Sequence, residues 1–126
     1  MGMVLLSGVQ AYQDPPIVTG IPKGAQMSLP ILCDSHSMSP LIDCDDRIYG
    51  RFVTKQTVLL IGDIVTIKKG RHGILTVHRI VDAGTDEKGI WYITKGDDNV
   101  RNDFFWLGKL RREDFQMVVT GIKKVG

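Results

Sequence analysis

The turn Asp34-Ser35-His36-Ser37-Met38-Ser39-Pro40 sets three hydroxyls beside an imidazole, directly after the apolar run Leu29-Pro30-Ile31-Leu32-Cys33. A strand-like run feeding a turn closed by proline can hold a serine oxygen in a fixed place, which makes Ser37 a candidate nucleophile. Ser, Asp and Pro are also ordinary turn formers, so the turn taken alone is equally a loop without chemistry. Serine is a poor nucleophile at its own pKa and needs a neighbouring base. The sequence holds three histidines. His36 adjoins Ser37, but successive side chains on extended backbone point to opposite sides, which turns its ring away. His72 falls in the charged turn between Lys68 and Gly73. The candidate base is His78, in Val77-His78-Arg79-Ile80-Val81, since a histidine accepts a proton at neutral pH without the deep burial a lysine requires. Such a base works best when a carboxylate fixes its tautomer. The segment from Lys95 to Asp103 offers Asp97, Asp98 and Asp103, and the residues alone leave the choice open.

The elements that must position these groups read as short strands. Residues 1–28 carry Asp14-Pro15-Pro16, Gly20, Pro22 and Gly24, which break helices and leave an extended arm laid on a domain spanning 29–126. Strands are expected over Ser28–Asp34, Arg47–Val53, Val58–Ile61, Asp63–Lys68 and Ile74–Val81, the last apolar on both faces and therefore interior. Asp82–Gly89 reads as a polar hairpin loop, Ile90–Thr94 as an aromatic and β-branched strand, and Gln116–Ile122 as the final strand. One short helix is expected near Leu110–Phe115. The resulting fold class is mainly β, a coiled or closed sheet with at most one short helix.

A chain of 126 residues suffices for one domain with a real core. Apolar content of 43%, charged content of 24% and a net charge of +2 place it among ordinary globular proteins. The basic residues are dispersed, so nucleic acid is not an expected partner. Cys33 and Cys44 flank the serine turn and read as free buried thiols. Together with His36 they match no standard zinc spacing, and neither a metal nor another cofactor is expected. No run approaches the ~18 apolar residues of a membrane span, and no secretory signal is visible.

The order of the segments carries more than any one of them. The Ser37-Met38-Ser39-Pro40 turn is followed by Gly62-Asp63-Ile64-Val65, then Val77-His78-Arg79-Ile80-Val81, Thr94-Lys95-Gly96-Asp97-Asp98-Asn99, and Val118-Val119-Thr120-Gly121-Ile122. This succession, from Leu29 to Ile122, resembles type I signal peptidases. Because His78 stands where most bacterial members carry lysine, the closer resemblance is to the archaeal and endoplasmic-reticulum branch. The resemblance implies a serine endopeptidase with Ser37 as nucleophile, His78 as base and Asp103 as the aspartate that orients it. It further implies that Ser35 and the Ser37 backbone N–H supply the oxyanion donors, that Met38 and Pro40 shape the turn, and that Gly96 and Asp97 brace the facing loop. The implied substrate is a preprotein or similar extended peptide cut after small residues, at the outer face of a membrane. The family has glycine where this chain has His36, and asparagine where it has Asp98. Its members are usually membrane anchored, so either an anchor has been removed, with any membrane association made through it or a partner, or this is a soluble relative with different substrates. A second reading is a binding or regulatory module on the same fold, silent or self-cleaving.

Overall fold

The computed structural model describes residues 13–32, 36–69 and 75–125. They form a mainly β protein built on one antiparallel sheet. The strands are β1 (Met27–Pro30), β2 (Arg47–Phe52), β3 (Ile64–Ile67), β4 (Thr76–Asp86), β5 (Gly89–Lys95) and β6 (Phe115–Lys123), with, among the described residues, a single four-residue α-helix, α1 (Phe104–Leu107), and a 3-10 turn at Arg112–Asp114. The hydrogen-bonded order is β1-β2-β6-β3-β4-β5. Among the described residues no helix is long and apolar enough to cross a membrane.

Two apolar clusters hold the sheet from either side. Ile64 packs with Met38, Ile42, Ile48, Met117, Val119 and Ile122, whereas its neighbours Val65 and Ile67 pack with Ile80, Tyr92, Leu110 and Phe115. This division follows from the alternation of side chains along a strand, and β3, buried on both faces, is accordingly β-branched throughout. Tyr92 and Phe115 meet edge to face at 5.5 Å. Truncating Phe115, which is 2% exposed, should cost about 3–5 kcal/mol through lost transfer energy and the cavity left behind.

The sheet is bent by register shifts at Tyr49/Gly50, Thr66/Ile67 and Ile80/Asp82. At the first, a Cβ on Gly50 would lie 2.3 Å from the Val118 carbonyl oxygen, so only glycine permits the approach. The bending matters for the site. β1 and β4 stand four places apart in the ladder, about 19 Å in a flat sheet, yet Leu29 and Pro30 of β1 border the same groove as Thr76, Val77 and His78 of β4. The sheet has coiled to bring them together.

The described residues ahead of β1 pair with the last strand. Ile17 bridges Ile122, with Val18 donating to the Ile122 carbonyl at 2.8 Å and Ile122 donating to that of Pro16 at 3.0 Å. β1 starts at Met27, just ahead of the expected boundary, and ends at Pro30.

Three local expectations are corrected. Val58–Ile61 is not a strand; Val58, Leu60 and Ile61 are exposed on a loop, and no strand among the described residues pairs with them. Asp82–Gly89 is not a loop, because β4 continues to Asp86 and the turn narrows to Glu87 and Lys88. Pairing with β5 overrides the weak strand propensity of Asp82, Gly84 and Asp86, and Gly84 is needed there because a Cβ would sit 2.4 Å from the Trp91 ring. The expected helix at Leu110–Phe115 is a β-bridge at Leu110, a 3-10 turn and the start of β6. Leu110 exchanges both backbone hydrogen bonds with Tyr92 at 2.8 Å, which commits it to extended backbone.

Candidate active site

Ser37 opens the turn Ser37–Pro40, held by Ser39 N–H on the His36 carbonyl at 3.0 Å and by Ile42 N–H on that of Met38 at 2.9 Å, with a cis peptide before Pro40. Met38 and Ile42 sink into the first apolar cluster and anchor the turn from below. A second anchor is polar. Lys124 donates to the Leu41 carbonyl at 3.0 Å and pairs with the fully buried Asp46, which also accepts from the backbone N–H groups of Asp43 and Val125. Burial alone would raise the Asp46 carboxyl, but Lys124 and the two amides outweigh it and hold the group below the usual carboxylate range.

Opposite the turn, His78 on β4 is 4% exposed and points its Nε2 at Ser37 Oγ, 3.1 Å away. Its Nδ1 lies 2.5 Å from Asp103 Oδ2. That oxygen also accepts from Thr94 Oγ1 at 2.6 Å, and Oδ1 accepts from Trp106 Nε1 at 3.1 Å. Burial by itself would raise the Asp103 carboxyl, yet the hydrogen bonds from His78, Thr94 and Trp106 prevail and keep it below its ordinary range. An ionised carboxylate only accepts, so Nδ1 carries the imidazole proton and Nε2 is left to accept from the serine hydroxyl.

Of the three carboxylates in this segment, Asp103 is therefore the one at the imidazole. Asp97 instead receives two parallel bonds from Arg79, at 2.9 and 2.8 Å. Arg79 also donates to the Gly62 carbonyl at 2.9 Å and to Asp14 of the arm at 2.7 Å, so the residue beside His78 ties β4, the 96–99 loop and the arm together. The backbone N–H of Asp98 donates to the Ser37 carbonyl at 2.8 Å. Gly96 is required by proximity: a Cβ there would lie 2.7 Å from the Ser37 carbonyl oxygen and 2.9 Å from its Cβ. The Asp97 N–H points at Met38 Sδ, 3.4 Å away. Lys95 pairs with Arg79 across the ladder, which puts its side chain on the face opposite His78.

His36 is exposed, and the imidazole in hydrogen-bond contact with Ser37 is that of His78. Ser35, Cys33 and His72 lie outside the described residues. Cys44 is disulfide-bonded, which corrects the expectation of free thiols; the sequence holds one other cysteine, Cys33. Among the described residues no group of three or more His, Cys, Asp or Glu side chains is placed to hold a metal ion.

A groove of about 1040 Å³ runs past Ser37 and His78, walled by apolar side chains that include Leu29, Ile31, Ile42, Val77, Phe105 and Trp106. Thr94, Trp106, Arg79 and Lys124 were not singled out by sequence reasoning. The spacing of Trp106, three residues after Asp103, is the one local signal that could have drawn attention to it.

A serine, an imidazole and an ionised carboxylate in one hydrogen-bonded line, with the serine open to an apolar groove, form the constellation of nucleophilic acyl transfer. No protein-family model matches the chain, and no characterised protein matches it in sequence.

Proposed function

We propose that the chain is a serine endopeptidase of the signal-peptidase type. The observation that carries this reading is the continuous line Ser37 Oγ, His78 Nε2, His78 Nδ1, Asp103 Oδ2, with separations of 3.1 and 2.5 Å. In the proposed reaction Ser37 Oγ attacks the scissile carbonyl and His78 takes its proton. The tetrahedral intermediate collapses to an acyl-enzyme as His78 passes that proton to the leaving amine, and a water activated by the same imidazole then releases the acid. Asp103 stays ionised and supports the imidazolium.

The groove suits an extended, apolar peptide. β1 is an end strand of the ladder, its Leu29 and Pro30 line the groove, and proline is tolerated there because an end strand need not donate on both sides. An extended substrate would add to that edge and pass its backbone across Ser37. By resemblance the substrate is a preprotein cut after small residues, with Ser35 as an oxyanion donor.

The test is incubation of the purified chain with a preprotein beside its Ser37→Ala variant, with the new N-terminus read by mass spectrometry. A single cut made by the wild type and lost in the variant is the expected result. A wild-type chain that neither cuts the preprotein nor reacts with a fluorophosphonate at Ser37 would sink the reading. Shortening of the chain itself, with no cut in added peptides, would put a self-cleaving module in its place.

A further inference from the structure

The carboxylate of Asp103 is held by three donors that divide unequally between its oxygens. Oδ2 takes His78 and Thr94, and Oδ1 takes Trp106 alone. Held at one oxygen only, a carboxylate can still turn about its Cβ–Cγ bond; a donor on the other oxygen removes that freedom. Asp103 occupies the N-cap position of α1, where an aspartate ordinarily accepts from the first amides of the helix, yet its side chain makes no such bond. Asn102 Oδ1 accepts from the Phe104 N–H instead, at 3.0 Å, and the carboxylate is released toward the site.

The helix itself is short, none of its four residues is fully buried, and its contact with the second apolar cluster is made by the half-buried Leu107. What it does achieve is a single turn: Trp106 and Leu107 donate backbone N–H groups to the Asp103 carbonyl at 3.1 and 2.7 Å, which lifts the Trp106 indole back over the Asp103 side chain. The same indole walls the groove beside Phe105.

We propose that Trp106 is a positioning residue of the triad, its indole N–H fixing the rotation of the Asp103 carboxylate while its ring, as groove wall, makes that orientation responsive to what fills the groove. The proposal rests on the peptidase reading for its kinetic consequence, but not for its structural one.

The experiment uses the full chain with Trp106 replaced by Phe and, separately, by benzothienylalanine, which keeps the indole shape and substitutes sulfur for the N–H. The first readout is the proton resonance of His78 Nδ1–H, assigned by its loss in Asp103→Asn and followed with and without an apolar peptide in the groove. The second is kcat and KM for cleavage of a preprotein peptide. Both replacements should shift or broaden the resonance and abolish its response to peptide, and lower kcat about tenfold with KM changed less than about twofold. Phe104→Ala, which alters an exposed neighbour on the same helix, should change neither. The proposal is overturned if the benzothienylalanine chain retains the wild-type resonance, its peptide response and kcat, or if Phe104→Ala reproduces the losses, since the effect would then belong to the helix and not to the indole N–H. Should the wild type cleave nothing, the peptidase reading falls, and the resonance comparison still decides the role of Trp106.

Discussion

Gly96 lies so close to Ser37 that a methyl group placed on it would meet the serine's carbonyl oxygen at 2.7 Å. The two residues are distant in the chain, one in the turn after β1 and the other just past β5, and their contact holds the serine turn against the loop that follows β5. Gly96→Ala should therefore displace Ser37 as well as strain the loop, costing about 1–3 kcal/mol of stability and a larger fraction of activity. Thermal unfolding and the rate of fluorophosphonate labelling at Ser37 measure the two effects. Labelling at the wild-type rate in a destabilised variant would mean the turn is positioned by its apolar anchors alone.

Ser37, His78 and Asp103 should behave as one unit. Ser37→Ala and His78→Ala are each expected to remove nearly all cleavage, on the order of 10⁴-fold or more, and the double variant to be little worse than either. Asp103→Asn should leave a measurable remainder, since nucleophile and base persist while the tautomer is no longer enforced. His36→Ala should cleave at close to the wild-type rate. Retention of activity in His78→Ala with loss in His36→Ala would make His36 the base in place of His78.

Arg79 should matter through geometry as much as charge. Its paired bonds to Asp97 brace the loop that bears Gly96 and Asp98, and lysine cannot reproduce two parallel bonds in one plane. Arg79→Lys and Arg79→Gln are both expected to slow Ser37 labelling several-fold and to lower stability by about 1–2 kcal/mol. Full recovery in the lysine variant would reduce Arg79 to a point charge.

Acid should unfold the protein through Asp46 and Asp103. Both carboxyls are held below their unfolded value, so the stability they contribute is complete above about pH 4 and is lost as pH falls through the lower, folded values. Asp63 is shifted the other way: burial raises its carboxyl, against a hydrogen bond from Leu60, so its charging disfavours the fold as pH climbs above about 4. Asp46→Asn should be less stable than the wild type at pH 7, with a smaller further loss on acidification, as urea midpoints across the acid range would show. Parallel acid curves for variant and wild type would place the responsible carboxylates elsewhere.

The bonded state of Cys44 gives a count to check. Denatured without reductant the chain should show no free thiol, and with reductant two; it should also run as a monomer on a non-reducing gel if Cys33 of the same chain is the partner. A crosslink closing a loop of this size stabilises by about 3 kcal/mol, so reduction should lower the urea midpoint. One free thiol per chain in the absence of reductant would contradict the bond.

The mainly β architecture was legible because local composition and periodicity agree with it: β-branched and aromatic runs at β3, β5 and β6 are separated by turn residues, and those strands stand where the pattern puts them. Ser37 and His78 were also legible as candidates, since hydroxyl and imidazole chemistry follows from residue type. The choice among Asp97, Asp98 and Asp103 does not follow from the residues themselves, because which carboxylate reaches an imidazole 25 residues away depends on the path of the backbone between them. The resemblance pointed to Asp103, and the bond of its backbone N–H to the Thr94 carbonyl on β5, at 2.8 Å, brings its side chain to His78. Likewise Val58–Ile61 has the composition of a strand without a partner to pair with, and Asp82–Asp86 has the composition of a loop with a partner that pairs it. Alternation and turn chemistry are short-range and act within a few residues, so sequence alone determined strands such as β3, β5 and β6 and the candidate chemistry. Coiling of the sheet, the contact of Gly96 with Ser37 and the bond between His78 and Asp103 join residues far apart in the chain, and only tertiary packing could decide them.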